Sequence, residues 1–433
     1  MTDLLKKIYS VFDPAPLLPE QHDLYVSLDE VRGSAGLVTD LSNVILLSQK
    51  PTCQLLTGHR GSGKSTELRR LQSTLESEKN RFFTVFCETE KEDEREGIDP
   101  NDVDFPDVLM FVIYQLAKQL RDRENIKLKP GYFRQRWDEL KNILGSEVDF
   151  STLELSAGLA KFSAAIKDSP DTRLAIRKAL EPKTNTWISA ANDVISEAVL
   201  ELSKKDYSGL VIIVDGLDKI TPRPHDKADC SLPEYLFINR YAQLIAFKCH
   251  LVYTIPISLA YSCKERNLAS LYGLTSLPII PMTKITDEKG RTVAQGVEKF
   301  KDMVIRRLND AGSDIKGTFQ TETVLNHIIK ISGGQPRELM TLIRDSLVTG
   351  GIPITRDAVS RTARNITHAY DRFLRKEHWK VINQVKKTHN LERTEKNDGL
   401  CMDLLDSRAV LQYRNEKQWY DANPLLPEPP KEK

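Results

Sequence analysis

Gly58-His59-Arg60-Gly61-Ser62-Gly63-Lys64-Ser65 fits the pattern G-x-x-x-x-G-K-[ST], a glycine-rich turn that wraps backbone amides around phosphate groups. The residues before it, Cys53-Gln54-Leu55-Leu56-Thr57, are apolar and bounded by Pro51, which predicts a short buried strand. Leu68, Leu71 and Leu75 recur at helical spacing, which predicts a helix over Thr66 to Glu76. Strand, loop and helix in that order form the context in which this motif works, with an anion nest at a helix N-terminus. Gly58, His59, Arg60, Gly61, Ser62, Gly63, Lys64, Ser65 and Thr66 are therefore expected to surround a nucleotide. Lys64 is expected to reach the β- and γ-phosphates and the Ser65 hydroxyl to bind Mg2+, so ATP and Mg2+ are the expected cofactors.

The chain has 433 residues, 40% hydrophobic and 28% charged, which suits a water-soluble chain of two or three domains. Its net charge of +1 carries no global bias toward nucleic acid or membrane. No apolar run approaches roughly 18 residues, so no membrane partner is expected. The N-terminus, Met1-Thr2-Asp3-Leu4-Leu5-Lys6-Lys7, lacks the apolar core of a signal peptide. Cys53, Cys87, Cys230, Cys249, Cys263 and Cys401 form no C-x-x-C pair, which predicts reduced thiols and a cytoplasmic location.

Outward from the phosphate loop, Phe12-Asp13-Pro14-Ala15-Pro16-Leu17-Leu18-Pro19 is broken by proline and reads as extended. Residues 36–49 suit an amphipathic helix, and Arg81 to Phe86 a second strand. Glu88 to Asp104 is an acidic, solvated loop, and Phe105 to Gln119 a strongly apolar helix. Residues 121–185 read as an insertion whose centre, Val148 to Ile166, suggests a hairpin. Thr186 to Ser203 is helical again. Leu210-Val211-Ile212-Ile213-Val214-Asp215 is a continuous apolar run ending in an acid, the signature of a strand buried on both faces of a parallel sheet. Leu236 to Phe247 reads as a helix, and His250 to Pro256 as another central strand. This alternation predicts an α/β fold, a doubly wound parallel sheet forming a P-loop NTPase core. Helices are then expected over Val293 to Ala311, Thr321 to Ile331, Glu338 to Thr349 and Asp357 to Arg375. Trp379 to Thr388 and Leu400 to Leu405 predict two more. Ala409 to Tyr413 and Gln418 to Tyr420 flank the polar turn Arg414-Asn415-Glu416-Lys417, so the end resembles a winged helix.

Val214-Asp215-Gly216-Leu217-Asp218 supplies the second half of an NTPase site. An acid at the end of a buried strand can hold the hydration shell of Mg2+ together with Ser65, the role expected for Asp215. Asp218 is placed to polarise an attacking water.

The Asp-Gly-Leu-Asp ending resembles the Walker B segment of STAND-type signal-transduction ATPases, a branch near the AAA+ proteins. Ser332-Gly333-Gly334-Gln335-Pro336-Arg337-Glu338-Leu339 is similar to the Gly-x-Pro motif of the STAND lid and to the Gly-x-Pro-Arg of replication-initiator and transposition-regulator AAA+ ATPases. The resemblance, which spans about residues 25–370, implies that Pro336 packs on adenine or ribose and that Arg337 senses phosphate. It implies a polar sensor at Thr254, with Ser258 the alternative, and contacts to the base from Val31 and Arg32. Gly216 stands where a typical AAA+ site has Glu, which favours the STAND-like branch and implies slow or partner-stimulated hydrolysis. Arg240, Arg266 and Arg223 are unranked candidates for an arginine finger.

The domain organisation expected is an N-terminal arm over 1–35, the P-loop core over 36–285, a helical lid over 286–375 and a small winged-helix-like module over 376–433. The function implied is an ATP-hydrolysing regulatory switch, of a kind found in prokaryotic antiviral defence or signalling, that self-associates or acts on a separate effector protein. A DNA-associated AAA+ ATPase is the alternative. DNA is disfavoured because Glu416 and Asp421 accompany Arg414 and Lys417 at the wing. A small-molecule kinase, with the insertion holding substrate, is the second alternative.

Overall fold

Among the described residues seven strands organise the chain: β1 Cys53–Gly58, β2 Phe82–Glu88, β3 Gly209–Asp215, β4 His250–Thr254, β5 Ile279–Ile280, β6 Val410–Arg414 and β7 Gln418–Ala422. A computed structural model describes residues 3–33, 36–90, 97–128, 169–226, 228–261 and 265–430. The chain divides into two units, the first Met1–Leu37, Gly58–Arg69 and Ile279–Lys433, the second Val38–Thr57 and Arg70–Pro278.

The five-stranded sheet has the order β2-β3-β4-β1-β5. β2 runs parallel to β3, β3 to β4, and β4 to β1, with Val214 opposite Tyr253 and Leu56 opposite Thr254. β2, β3 and β4 follow one another in the chain while β1 lies beside β4, so the strand order reverses within the sheet as in a doubly wound α/β fold. Residues 210–215 of β3 are all buried, which explains their unbroken apolar run.

In the second unit the sheet is covered by the helices Phe105–Glu124 and Thr184–Ser203, whose Val108, Val112, Leu116, Ala191 and Ile195 join one apolar cluster with β2, β3 and β4. Burying the valine, leucine and isoleucine side chains among these contributes about 1.5–3 kcal/mol each. The first of these helices starts where Asp104 accepts the Phe105 amide and Asp107 reaches back to the Asp104 amide, a capping box. The expected hairpin over Val148 to Ile166 lies outside the described residues. Within the insertion, Pro170–Leu180 is a helix capped by Ser169.

The expected helix over Leu236 to Phe247 is instead a broken series. Leu232–Glu234 and Tyr241–Leu244 are α-helical, and Tyr235–Asn239 between them is a π-turn. The Arg240 amide donates to the Tyr235 carbonyl at 3.1 Å, which widens the turn. Arg240 there pairs with Asp104 at 3.2 Å and Glu181 at 2.6 Å. Those bonds favour the break over a regular helix.

The first unit carries the phosphate loop and a helical bundle: Ala294–Asp310, Glu322–Ile331, Pro336–Gly350 and Arg356–Phe373. Their apolar faces meet in a cluster containing Phe300, Leu325, Leu339 and Val359. The N-terminal helix Asp3–Val11, which the sequence reading did not anticipate, adds Ile8 to that cluster, and Phe12 follows it. Residues 13–18 then form neither helix nor strand, and Pro19, expected in an extended segment, instead begins the 3-10 helix Pro19–Leu24. The chain ends in two helices, Lys376–Thr388 and Asp398–Asp406, and the antiparallel hairpin of β6 and β7. In the hairpin Tyr413 stacks on Trp419 with ring centroids 4.4 Å apart. Among the described residues no helix is long and apolar enough to cross a membrane.

Candidate functional site

β1 delivers the chain into the phosphate loop. Gly58, Gly61 and Gly63 have φ values of 150°, 83° and 101°, which non-glycine residues rarely adopt. The turn closes through the Ser62 amide, which donates to the His59 carbonyl at 3.2 Å, and the helix Lys64–Glu76 begins immediately. A turn of this shape at a helix N-terminus aims backbone N–H groups at an anion.

Lys64 is only 5% exposed. Its ammonium donates to the Gly58 carbonyl at 2.7 Å and the His59 carbonyl at 3.0 Å, so its charge is held over the turn. Ser65 and Thr66 are half-buried in the first turn of the helix, and the Thr66 hydroxyl accepts the Leu17 amide at 3.3 Å. Arg60 is exposed at the tip.

His59 departs from the expectation for a loop residue. Its ring is fully buried, with Nδ1 3.1 Å from the Leu405 carbonyl, while Nε2 accepts the Gln412 amide at 2.9 Å. A carbonyl only accepts and an amide N–H only donates, so the ring is neutral with its proton on Nδ1. Burial pushes its pKa down to about 3; the Lys64 and Arg408 cations push the same way, and the Leu405 carbonyl opposes them.

Arg32, expected at the base, lies against the phosphate loop. It is 3% exposed and its Nη2 donates to the Ser62 carbonyl. Its Nη1 is 3.6 Å from Glu67 Oε1, which also accepts the Tyr25 hydroxyl at 3.2 Å. Burial lowers the Arg32 pKa and Glu67 resists that shift. Val31 is 1% exposed in the apolar cluster of the bundle, and its carbonyl accepts the Lys284 amide at 3.2 Å. Sequence reasoning missed Glu67. An acid in the first turn after the motif, on the helix face shared with Gly63, was the signal available.

The helix Pro336–Gly350 starts with Pro336 in its first turn after Gln335. The Arg337 amide donates to the Gly61 carbonyl at 3.4 Å, so the turn expected to belong to a lid touches the phosphate loop. Pro336 and Arg337 are both half-buried.

The second unit carries the remaining candidates. Asp215 ends β3 at 7% exposure, and Asp218 sits at 9% in the 3-10 turn Leu217–Lys219. Between them Gly216 has φ 101°, and a Cβ there would lie 2.2 Å from Thr89 Oγ1. A larger residue at this position therefore requires a positive φ and a shift of the Thr89 side chain. The Thr254 hydroxyl, fully buried at the end of β4, accepts the Gly216 amide at 2.9 Å. Thr254 thus fixes the turn that follows Asp215. Ser258 is buried in the short helix Ile257–Ala260. Of the arginine-finger candidates, Arg240 is paired as described above. Arg223 meets Asp226 at 3.1 Å and donates to the Asn101 carbonyl at 2.7 Å. The Arg266 side chain lies outside the described residues. Among the described residues no group of three or more His, Cys, Asp or Glu side chains is arranged to hold a metal ion.

The sequence matches no protein-family profile and no curated protein. Solved structures with a similar chain trace include the ORC2 protein of Aeropyrum pernix in ADPNP–ADP complexes, at TM-score 0.44 and 11% identity over 96% of this chain and 94% of that one. A Walker-type ATPase of Pyrococcus abyssi aligns at TM-score 0.42 and 14% identity over 96% and 98%. Cdc6p from Pyrobaculum aerophilum aligns at TM-score 0.38 and 14% identity over 96% and 94%. Likenesses this distant say nothing about ligand or activity.

Proposed function

We propose that this chain is a nucleotide-dependent switch of the STAND or AAA+ kind, a P-loop ATPase that binds ATP, hydrolyses it slowly or on stimulation, and reports the nucleotide state through its helical lid. The observation that carries this reading is the bond from the Arg337 amide to the Gly61 carbonyl, which ties the lid turn to the phosphate loop. In this reading the glycine turn and Lys64 bind the phosphates. Arg337 senses the γ-phosphate, Asp218 orients the attacking water, and Thr254 holds the Asp215 turn in place. Pro336 lies toward the base or ribose, and Arg32 supports the loop from behind. Mg2+, when bound, neutralises charge on the β- and γ-phosphate oxygens; the hydroxyl and carboxylate of Ser65 and Asp215 are donors of the hard-oxygen type it prefers. The output is self-association or an effector protein, in a defence or signalling setting.

The DNA-associated alternative is favoured by a different observation. Lys376, Lys380, Lys386 and Lys387 are exposed on one C-terminal helix, and Arg414 and Lys417 are exposed at the hairpin tip. Hydrolysis stimulated by duplex DNA selects that alternative.

The test is a titration of ATP with Mg2+ together with a hydrolysis assay. Lys64→Ala is expected to weaken ATP binding at least about a hundredfold, since it removes the cation that meets the phosphates. Asp218→Asn is expected to keep binding and lose turnover. Parent-like binding by Lys64→Ala contradicts the site.

A further inference from the structure

His59 has two faces with different partners. Its carbonyl belongs to the phosphate loop, where it accepts the Ser62 amide at 3.2 Å and the Lys64 ammonium at 3.0 Å. Its ring belongs to the C-terminal segment, bonded to the Leu405 carbonyl at the end of Asp398–Asp406 and to the Gln412 amide in β6. From Gln412 the connections continue to the lid turn. The Gln412 carbonyl accepts the Met282 amide at 2.9 Å, and the Tyr413 hydroxyl donates to the Gly333 carbonyl at 2.9 Å. Gly333 opens the turn whose Arg337 amide returns to Gly61. Phosphate loop, hairpin and lid turn thus form a closed circuit of hydrogen bonds within one unit. Two side-chain amides beside this circuit, Gln335 and Gln412, are fully buried and make no hydrogen bond in this conformation. Buried amides without partners are unfavourable, and they mark a polar network that a rearrangement can satisfy better.

We propose that His59 is a positioning residue that couples occupancy of the phosphate loop to docking of the C-terminal hairpin, so that β6 is a second output of the nucleotide switch beside the lid. The inference rests on the nucleotide-binding reading above. A phosphate engaging the Lys64 ammonium redistributes its donors, and the His59 carbonyl is one of the acceptors it now serves. A shift of the His59 backbone moves a ring whose two nitrogens are both committed to the C-terminal segment. Coupling of this kind is reciprocal: loss of the ring contact must also change nucleotide affinity.

Hydrogen exchange of the full chain tests it, with peptides covering residues 409–414 measured without nucleotide, with Mg2+ and ADP, and with Mg2+ and a slowly hydrolysed ATP analogue. The expected result is a change of threefold or more in exchange over 409–414 on nucleotide binding. His59→Ala is expected to speed baseline exchange there roughly tenfold, abolish the nucleotide response and weaken nucleotide binding. His59→Gln, which keeps one donor and one acceptor, is expected to restore the response at least in part. A parent protein that binds nucleotide with unchanged exchange over 409–414 overturns the coupling, as does a full response in His59→Ala. If the parent binds no nucleotide, the functional reading fails by itself, and unchanged baseline exchange in His59→Ala then overturns the latch. Should His59→Ala not fold, the parent response and His59→Gln decide the matter.

Discussion

The phosphate loop and the acid-bearing end of β3 are both tight glycine turns after a buried strand, yet they are held in different ways. The strand end is fixed by sheet neighbours: the Thr89 amide donates to the Asp215 carbonyl at 3.0 Å, and Thr254 caps the Gly216 amide. Thr89 follows β2 and Thr254 ends β4, the two strands that flank β3. The phosphate loop is fixed by distant segments instead. Arg32 reaches it from 30 residues before Ser62, and the partners of the His59 ring lie 346 and 353 residues later. A turn held by its own sheet keeps one shape as long as the sheet is folded. A turn held by remote side chains takes a shape that those segments can alter, which is what a switch needs.

Removing one support from the phosphate loop should therefore cost more than disturbing the β3 turn. Arg32→Ala breaks the buried Arg32–Glu67 pair beside the loop, and breaking a buried pair costs roughly 3–5 kcal/mol. Denaturant unfolding should show that loss; a change below about 1 kcal/mol would mean that the loop does not depend on Arg32. Gly216→Ala tests the other turn. A non-glycine residue at positive φ costs about 1–3 kcal/mol, and the new Cβ also meets Thr89 Oγ1. The penalty should shrink when Thr89→Ala is combined with it, and strict additivity in the double mutant would refute the steric account.

The smallest effect is a pH dependence. The His59 pKa is about 3 in the folded chain, below its ordinary value, so the unfolded chain takes up the proton first as pH falls. Stability is complete above about pH 6.5 and is lost from there down toward pH 3. Lys64 and Arg408 supply the neighbouring positive charge, and Glu338 pairs with Arg408 at 3.5 Å. Between pH 6.5 and 5.5 the parent should lose about 1 kcal/mol relative to His59→Gln. Parallel pH profiles for the two proteins would show that the ring is not buried as a neutral group.

Much of this arrangement could be read from the sequence because it rests on local pattern. The apolar run from Leu210 to Val214 announces a central strand, and the periodic helices of the bundle announce themselves by spacing. The glycines around Lys64 define their own turn. The features that were missed depend on encounters remote in sequence. Nothing about a histidine at a variable position of a phosphate loop says that its ring faces a hairpin near the chain terminus. The resemblance implied that Arg32 contacts the base; its buried partner, Glu67, fixes where it points. The broken helix around Tyr235–Asn239 follows from Arg240 meeting Asp104 and Glu181, and periodicity carries no record of those partners. Ile279–Ile280 is too short a strand to have a pattern at all.

The central claim is that the lid turn reads the nucleotide. The γ-phosphate alone separates ATP from ADP, and a ligand shifts a conformational equilibrium only by its differential affinity for the two states. A charge-assisted bond to Arg337 is worth roughly 1.5–3 kcal/mol, enough for a shift of about tenfold to a hundredfold. Hydrogen exchange over residues 321–349, compared between a slowly hydrolysed ATP analogue and ADP with Mg2+ present, measures that shift directly. The account predicts stronger protection with the ATP analogue, and loss of the difference in Arg337→Ala with ADP binding nearly intact. Equal protection in the two nucleotides would contradict it and leave a nucleotide-binding protein without a switch.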